Sequence, residues 1–158
     1  MLGRKHALVA MVLLLGPVLP VIAGHSQDAL HLSATIDNGI LVAVLSNVSG
    51  RSVKTLGVHV SPFPGSGGFY VRLHDAGGSL AKYCAMINET NPAEHVLRPH
   101  ATLVYRESVR SLANQYCLHP GRYTAQVVYF NSMPASGAIY SGPAKSAELE
   151  LVVPGASE

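Results

Sequence analysis

Between Leu30 and Val153, apolar residues keep returning at every second position. Leu30, Leu32, Ala34 and Ile36 alternate with His31, Ser33 and Thr35. Phe69, Val71 and Leu73 alternate with Tyr70, Arg72 and His74, and Ala147, Leu149, Leu151 and Val153 with Glu148, Glu150 and Val152. Successive side chains of a strand point to opposite faces, so this period marks strands with one face covered. No stretch sustains the 3.6-residue period of an amphipathic helix. The expected fold class is all-β: a single antiparallel β-sandwich of seven or eight strands, with turn signals every 8–12 residues or so.

Asp37-Asn38-Gly39 is a turn, and Ile40 to Leu45, apolar at every position, predicts a strand covered on both faces. Asn47 to Ser52 carries turn chemistry, and Leu56, Val58 and Val60 alternate as a further strand. Ser61 to Gly68 is too rich in Pro and Gly for regular structure. Asp75-Ala76-Gly77-Gly78 predicts a tight hairpin connection from Phe69–His74 to a return strand over Leu80–Ile87. Asn88 to Pro99 reads as a long loop, Thr102 to Tyr105 as a short strand, and Glu107 to Tyr116 as room for a turn of helix. Tyr123 to Phe130 is the strongest strand, Asn131 to Pro143 a loop, and Ala147 to Val153 the last strand.

A different kind of segment precedes the strands. Arg4, Lys5 and His6 are followed by the apolar run Ala7 to Val21, broken by Gly16, Pro17 and Pro20, and Val21-Ile22-Ala23 supplies the small or apolar residues of a cleavage site. This is the order of a secretory signal peptide. The run falls short of the ~20 residues that an uncleaved anchor would need to span a bilayer, and no Cys follows it to carry a lipid. Residues 1–23 are therefore expected to be a signal peptide, 24–29 a short N-terminal segment, 30–153 the sandwich and 154–158 a C-terminal tail, with a periplasmic or secreted location. Cleavage after residue 23 of 158 leaves 135 residues, and loss of Arg4 and Lys5 takes the 11 basic residues to 9, against 9 acidic. A neutral chain offers no electrostatic ground for binding nucleic acid or an anionic membrane, and no membrane span remains in it.

Cys84 and Cys117 are the only cysteines. In an exported protein two cysteines pair, and a disulfide is expected. The competing reading, a catalytic Cys with His74, His95 or His119, has no local signature. The eight histidines show no metal-ligand spacing: His95 and His100 lie five apart in a Pro-containing loop, matching neither a helical pair nor a zinc motif. His25 is the exception to weigh. Cleavage after Gly24 would make it the N-terminal residue, whose α-amino group and imidazole suit copper. No Gly-x-Ser-x-Gly elbow or phosphate-cradling loop is present, no catalytic residue is assigned, and Glu148 and Glu150 read as edge protection. Asn47-Val48-Ser49 and Asn88-Glu89-Thr90 are glycosylation sequons in expected loops.

Leu118-His119-Pro120-Gly121-Arg122-Tyr123 leads into the strongest strand. A Pro-Gly turn with Tyr two residues on resembles the tyrosine corner of immunoglobulin-like and fibronectin type III-like sandwiches. Leu97-Arg98-Pro99 with Leu103, Tyr105 and Leu112, and Ser146 to Val153, resemble the strand before that corner and the final strand of bacterial extracytoplasmic modules of this kind. The resemblance covers roughly Leu30 to Val153. It implies the fold and carries over no catalytic residue. Cys117 lies six residues before Tyr123 and the chain has no Trp, so the cysteine and tryptophan pin of antibody domains is absent.

The function expected from these readings is that of an exported binding or accessory module, inhibitor-like in character, that recognises a protein partner. The loops Ser61–Gly68, Asn88–His100 and Asn131–Gly142 would do so at one end of the sandwich, with Phe63, Tyr140, His95 and His100 as candidate contacts and no cofactor. The alternative is a copper-binding or copper-dependent oxidative protein built on His25.

Overall fold

The computed structural model describes residues 29–58, 67–85, 93–131 and 143–155. In chain order these form β1 (Leu30–Asp37), β2 (Ile40–Asn47), β3 (Val53–Leu56), β4 (Gly68–His74), β5 (Glu94–Leu97), β6 (Thr102–Ser108), α1 (Val109–Gln115), β7 (Gly121–Phe130), β8 (Ala144–Lys145) and β9 (Leu149–Val153). All pairing is antiparallel. β1, β2 and β6 make one sheet with β2 in the centre, and β4 and β7 make a second, with β8 and β9 both on the far side of β7. β3 and β5 form a separate two-stranded ribbon.

The two larger sheets enclose one core. Leu30, Leu32, Leu41, Ala43, Leu45 and Tyr105 come from the first, and Phe69, Val71, Leu73, Ala125, Val127, Tyr129 and Leu151 from the second. Phe69 bridges the layers, stacked on Tyr105 at 5.4 Å between centroids and edge-on to Tyr129 at 5.1 Å. The alternation of β1, β4 and β9 is what supplies these inward rows.

Local chemistry sets the corners. Asn38 and Gly39 both have positive φ, 49° and 74°, as a two-residue type I′ hairpin requires, and Asp37 pairs with Ile40 across it. Ser108 caps α1 by accepting from the Ser111 N–H at 3.0 Å, within the span where a helical turn was expected. The helix ends in a Schellman arrangement: Leu118 N–H donates to the Ala113 carbonyl and Cys117 N–H to that of Asn114. Cys117 occupies the left-handed position, φ 48°, where Gly is the usual residue. Its disulfide to Cys84 (Cα–Cα 6.0 Å) ties the segment after β4 to the end of α1. Between β8 and β9 the buried Ser146 keeps the ladder continuous. Its N–H donates to the Val127 carbonyl at 2.9 Å, and its hydroxyl accepts from the Val127 N–H at 3.0 Å.

Several expectations are corrected. Leu80–Ile87 is not a return strand: among its described residues only Leu80 bridges back, to His74, and β4 pairs with β7 instead. The turn forms, with the Asp75 carboxylate accepting from the Gly77 and Ser79 N–H groups. The chain is then drawn off the sheet, because Cys84 and Ala85 donate to the Gln115 carbonyl and Cys84 is cross-linked. The strand expected around Leu56–Val60 lies earlier, over Val53–Leu56; Gly57 turns away to the Ala93 carbonyl, and residues 59–61 are outside the described residues. Asn88–Pro99 contains a strand, β5, which alternation could not reveal because Glu94, His95 and Val96 are all exposed. Ile40–Leu45 is covered on one face only: Leu41, Ala43 and Leu45 are buried, whereas Ile40 is exposed and Val42 and Val44 are half-buried. No helix among the described residues is long and apolar enough to cross a membrane.

Candidate functional site

The ends of β2 and β7 converge on the β3–β5 ribbon, and side chains rather than sheet pairing fix it there. Asn47 closes β2 and is 1% exposed. Its amide donates to the Leu97 carbonyl at 2.9 Å and the Arg51 carbonyl at 2.7 Å, while its Oδ1 accepts from the Ser49 N–H and hydroxyl. Asn131, just past β7, donates to the Lys54 carbonyl at 2.8 Å. Tyr129 grips the next residue pair along: the Leu56 N–H donates to its hydroxyl at 2.9 Å, and the hydroxyl donates to the Leu56 carbonyl at 3.0 Å. Thr55 Oγ1 donates to the His95 carbonyl within the ribbon. Pairing offsets the cost of burying these amide and hydroxyl groups, although Asn131 Oδ1 itself has no partner among the described residues; these residues belong to the architecture.

This ribbon gathers the attachment points of the segments expected to bind. Gly57, leaving β3, donates to the Ala93 carbonyl, entering β5, at 2.8 Å. Gly68 opens β4 directly opposite Phe130 at the close of β7, and Ala144 returns opposite Tyr129. The stretches 59–66, 86–92 and 132–142 therefore start or finish beside one another at the same end of the sandwich. Phe63 and Tyr140 fall within those stretches and, like His25 and the expected signal peptide, lie outside the described residues. His95 and His100 are both exposed. His95 pairs opposite Thr55, whereas His100 sits in the turn entering β6 with φ 62°, its N–H donating to the Asn47 carbonyl at 3.0 Å. The two flank Leu97 and do not converge. No group of three or more His, Cys, Asp or Glu side chains gathers among the described residues. Asn47, placed in a loop by sequence, is instead the buried end of β2; the Asn88 sequon is outside the described residues.

The electrostatics of the interior belong to tyrosine. Burial pushes the Tyr129 hydroxyl up to about 12, against a lowering by its bonds to Leu56. Burial, reinforced by the Glu107 carboxylate and the neighbouring Tyr116 and Tyr83, carries Tyr105 above the ordinary tyrosine range. Tyr116 is raised by burial and by Tyr70 and Tyr83, while its bond to the Val71 carbonyl (2.6 Å) acts the other way. Tyr70 is raised by burial, opposed by Arg72. All are protonated at neutral pH; the Tyr116 and Tyr129 hydroxyls bond to backbone, whereas that of Tyr105 has no partner among the described residues.

At the opposite flank, an open groove of about 300 Å³ runs between α1 and the end of β9, lined by Arg110, Asn114, Leu118, Pro120 and Val153 among others. The Tyr123 hydroxyl donates to the His119 carbonyl at 3.0 Å beside it, the backward bond that the Pro-Gly-x-Tyr pattern predicts. Sequence reasoning missed Asn47, Asn131 and Tyr129 as site-building residues. The one available signal was their position, each carrying a polar group at or beside the end of a strongly apolar run. Comparison of the chain with known protein families and with curated proteins finds no match.

Proposed function

We propose that the protein is an exported binding module of the immunoglobulin-like sandwich kind, acting in the periplasm or outside the cell, and that it engages a protein partner through the end of the sandwich where the β3–β5 ribbon lies. The observation that carries this reading is the convergence, on a ribbon held by Asn47, Asn131 and Tyr129, of the anchors of three segments, two of which, 59–66 and 132–142, carry Pro, Gly and an aromatic residue. Contact residues on loops work best when a rigid scaffold fixes the loop ends. Phe63 and Tyr140 are the aromatic anchors of this surface, since tyrosine and other large aromatics dominate binding energy.

Three further features support the class. The order β1-β2-β6 facing β4-β7-β9 matches the A-B-E and C-F-G strands of immunoglobulin-like sandwiches. The Tyr123–His119 bond fits the tyrosine corner that precedes their sixth strand. The Cys84–Cys117 bond fits an oxidising compartment.

Site-specific photo-crosslinking tests the placement. A photoreactive residue at position 63 or 140 is expected to capture the same protein from the native extracytoplasmic fraction, and one at the exposed Val152 is expected to capture none. Equal capture from all three positions, or capture from Val152 alone, would remove the loop end as the binding surface.

A further inference from the structure

The outward face of the β1-β2-β6 sheet is built unlike the solvated side of an ordinary antiparallel sheet. There the outward positions of the central strand are expected to be polar. Here β2 presents Ile40, Val42 and Val44 in succession, and Val104 of β6 stands directly opposite Val44. Ile40 and Val104 remain 38% and 37% exposed, although nothing else on this face needs an apolar neighbour. Ser33, Thr35, Ser46 and Thr102 surround the row. The sequence of β2 is that of a strand covered on both sides, and the fold covers only one.

Among the described residues this face carries one carboxylate, Asp37, and one guanidinium, Arg106, with the ionisable His31 in the row of Ser46 and Thr102 at the far end, and the arrangement of the two opposite charges selects the missing cover. Asp37 lies on β1 in the row Asp37–Ile40–Ser108, and Arg106 on β6 in the adjacent row Thr35–Val42–Arg106. Both are exposed, they occupy opposite edges of the sheet, and they sit at the same end of it. Neither forms an ion pair among the described residues. A two-fold axis running along β2 lays β2 on β2 and β1 of each copy over β6 of the other. It thereby brings Asp37 of one copy toward Arg106 of the second, twice. An isologous interface requires this self-complementarity.

We infer that this face pairs with the same face of a second copy of the chain, Ile40, Val42, Val44 and Val104 forming the dry centre and the two Asp37–Arg106 contacts setting the orientation. Eight residues per strand and three strands give a face about 27 Å by about 15 Å, roughly half the area per partner of a standard stable interface and in the range of weak, transient ones. The dimer is accordingly a weak one, with a dissociation constant in the micromolar range. The ion pairs fix which arrangement forms more than how tightly. The axis also turns both β3–β5 ends the same way, so the pair would present two binding ends together. That consequence, unlike the pairing itself, rests on the function proposed above.

Sedimentation equilibrium of the disulfide-bonded protein across a wide concentration range tests the inference without any partner. Wild type is expected to dimerise reversibly. Val44→Lys is expected to weaken the dimer by at least about tenfold, since it buries an unpaired charge at the centre. Asp37→Arg and Arg106→Asp are each expected to weaken it by a few fold, and the double exchange to return it to near wild type. Far-UV circular dichroism verifies that each variant keeps the fold, and the two charge variants lie on the surface, away from the core. A wild type that stays monomeric to about 1 mM would overturn the inference. So would a dimer indifferent to Val44→Lys, or one whose charge variants are not rescued by the exchange.

Discussion

The Tyr129 hydroxyl is bonded to both polar groups of the Leu56 peptide backbone, accepting from its N–H at 2.9 Å and donating to its carbonyl at 3.0 Å. The side chain at the end of β7 thus substitutes for a strand neighbour that β3 lacks on that side. The same hydroxyl anchors the ribbon from which the proposed binding segments leave, so its loss has a predictable cost. Tyr129→Phe would strand a donor and an acceptor of Leu56, itself 6% exposed, and is expected to destabilise by about 1–3 kcal/mol. Urea denaturation with an unchanged m-value checks this.

Tyr105 supplies the contrast. It is as deeply buried, stacked on Phe69, but its hydroxyl has no partner among the described residues. Tyr105→Phe is expected to be neutral or to stabilise by up to about 1 kcal/mol, because it removes a buried polar atom rather than a bond. Measured side by side, the two Tyr→Phe variants should move the denaturation midpoint in different directions or by clearly different amounts.

The same tyrosines set the alkaline limit of the fold. Tyr129 is raised to about 12 and Tyr70, Tyr105 and Tyr116 are raised above their ordinary value of 10. In the unfolded chain these groups lose their protons near pH 10, before the folded ones do. The unfolded state therefore binds fewer protons above that pH, and stability falls. Stability on this account is full below pH 10 and declines as pH rises toward 12. Tyrosinate absorbance at 295 nm should show these four side chains ionising together with loss of near-UV circular dichroism.

Asn47 distinguishes an architectural residue from a modification site. Asn47→Ala removes the bonds to the Leu97 and Arg51 carbonyls and is expected to cost about 2–3 kcal/mol, even in protein made without any glycosylation machinery. Thermal melts of that material decide it: an unchanged midpoint would return Asn47 to the surface.

How far the sequence carried varies with what made each element. β1 and β9 were legible because each buries one face, and burial writes itself as alternation; β4 alternates in sequence although its first residues are covered on both sides, and β7 was legible as a β-branched and aromatic run with Val127, Val128 and Tyr129 buried in succession. The Asn38-Gly39 turn was legible because its chemistry is local, and the Tyr123–His119 bond is what the resemblance of Pro120-Gly121-Arg122-Tyr123 to a tyrosine corner implies. The Cys84–Cys117 pairing followed from there being only two cysteines. The β3–β5 ribbon was not legible. Only Leu97 of β5 is buried, and the ribbon is held by Asn47, Tyr129 and Asn131, with up to 77 positions between partners. The false hairpin after Asp75 had correct turn chemistry, overruled by the pull of the disulfide and of the Gln115 carbonyl. For the proposed site, sequence supplied the segments and the candidates Phe63 and Tyr140, while the anchors that bring those segments together emerged only from the fold.

The disulfide is expected to matter in proportion to the loop it closes. Cys84 and Cys117 are 33 positions apart, and the chain-entropy estimate for such a loop is about 4 kcal/mol. The Cys84→Ser/Cys117→Ser double variant should unfold at a correspondingly lower denaturant concentration. Its left-handed position 117 should also respond to Cys117→Gly in the Cys84→Ser background, regaining up to about 1 kcal/mol. Chemical denaturation of the three proteins gives both numbers.

The central claim, that the protein binds a protein partner through its β3–β5 end, is tested most directly by quantitative capture. Disulfide-bonded wild type, the double variant Phe63→Ala/Tyr140→Ala and the distant control Val152→Thr would each serve as bait in the native extracytoplasmic fraction. The captured partner would then be titrated against all three. The account predicts that wild type and Val152→Thr bind alike and that the double variant loses at least about 2 kcal/mol of binding, roughly thirtyfold in affinity. Undiminished binding by the double variant, with its fold intact, would contradict it.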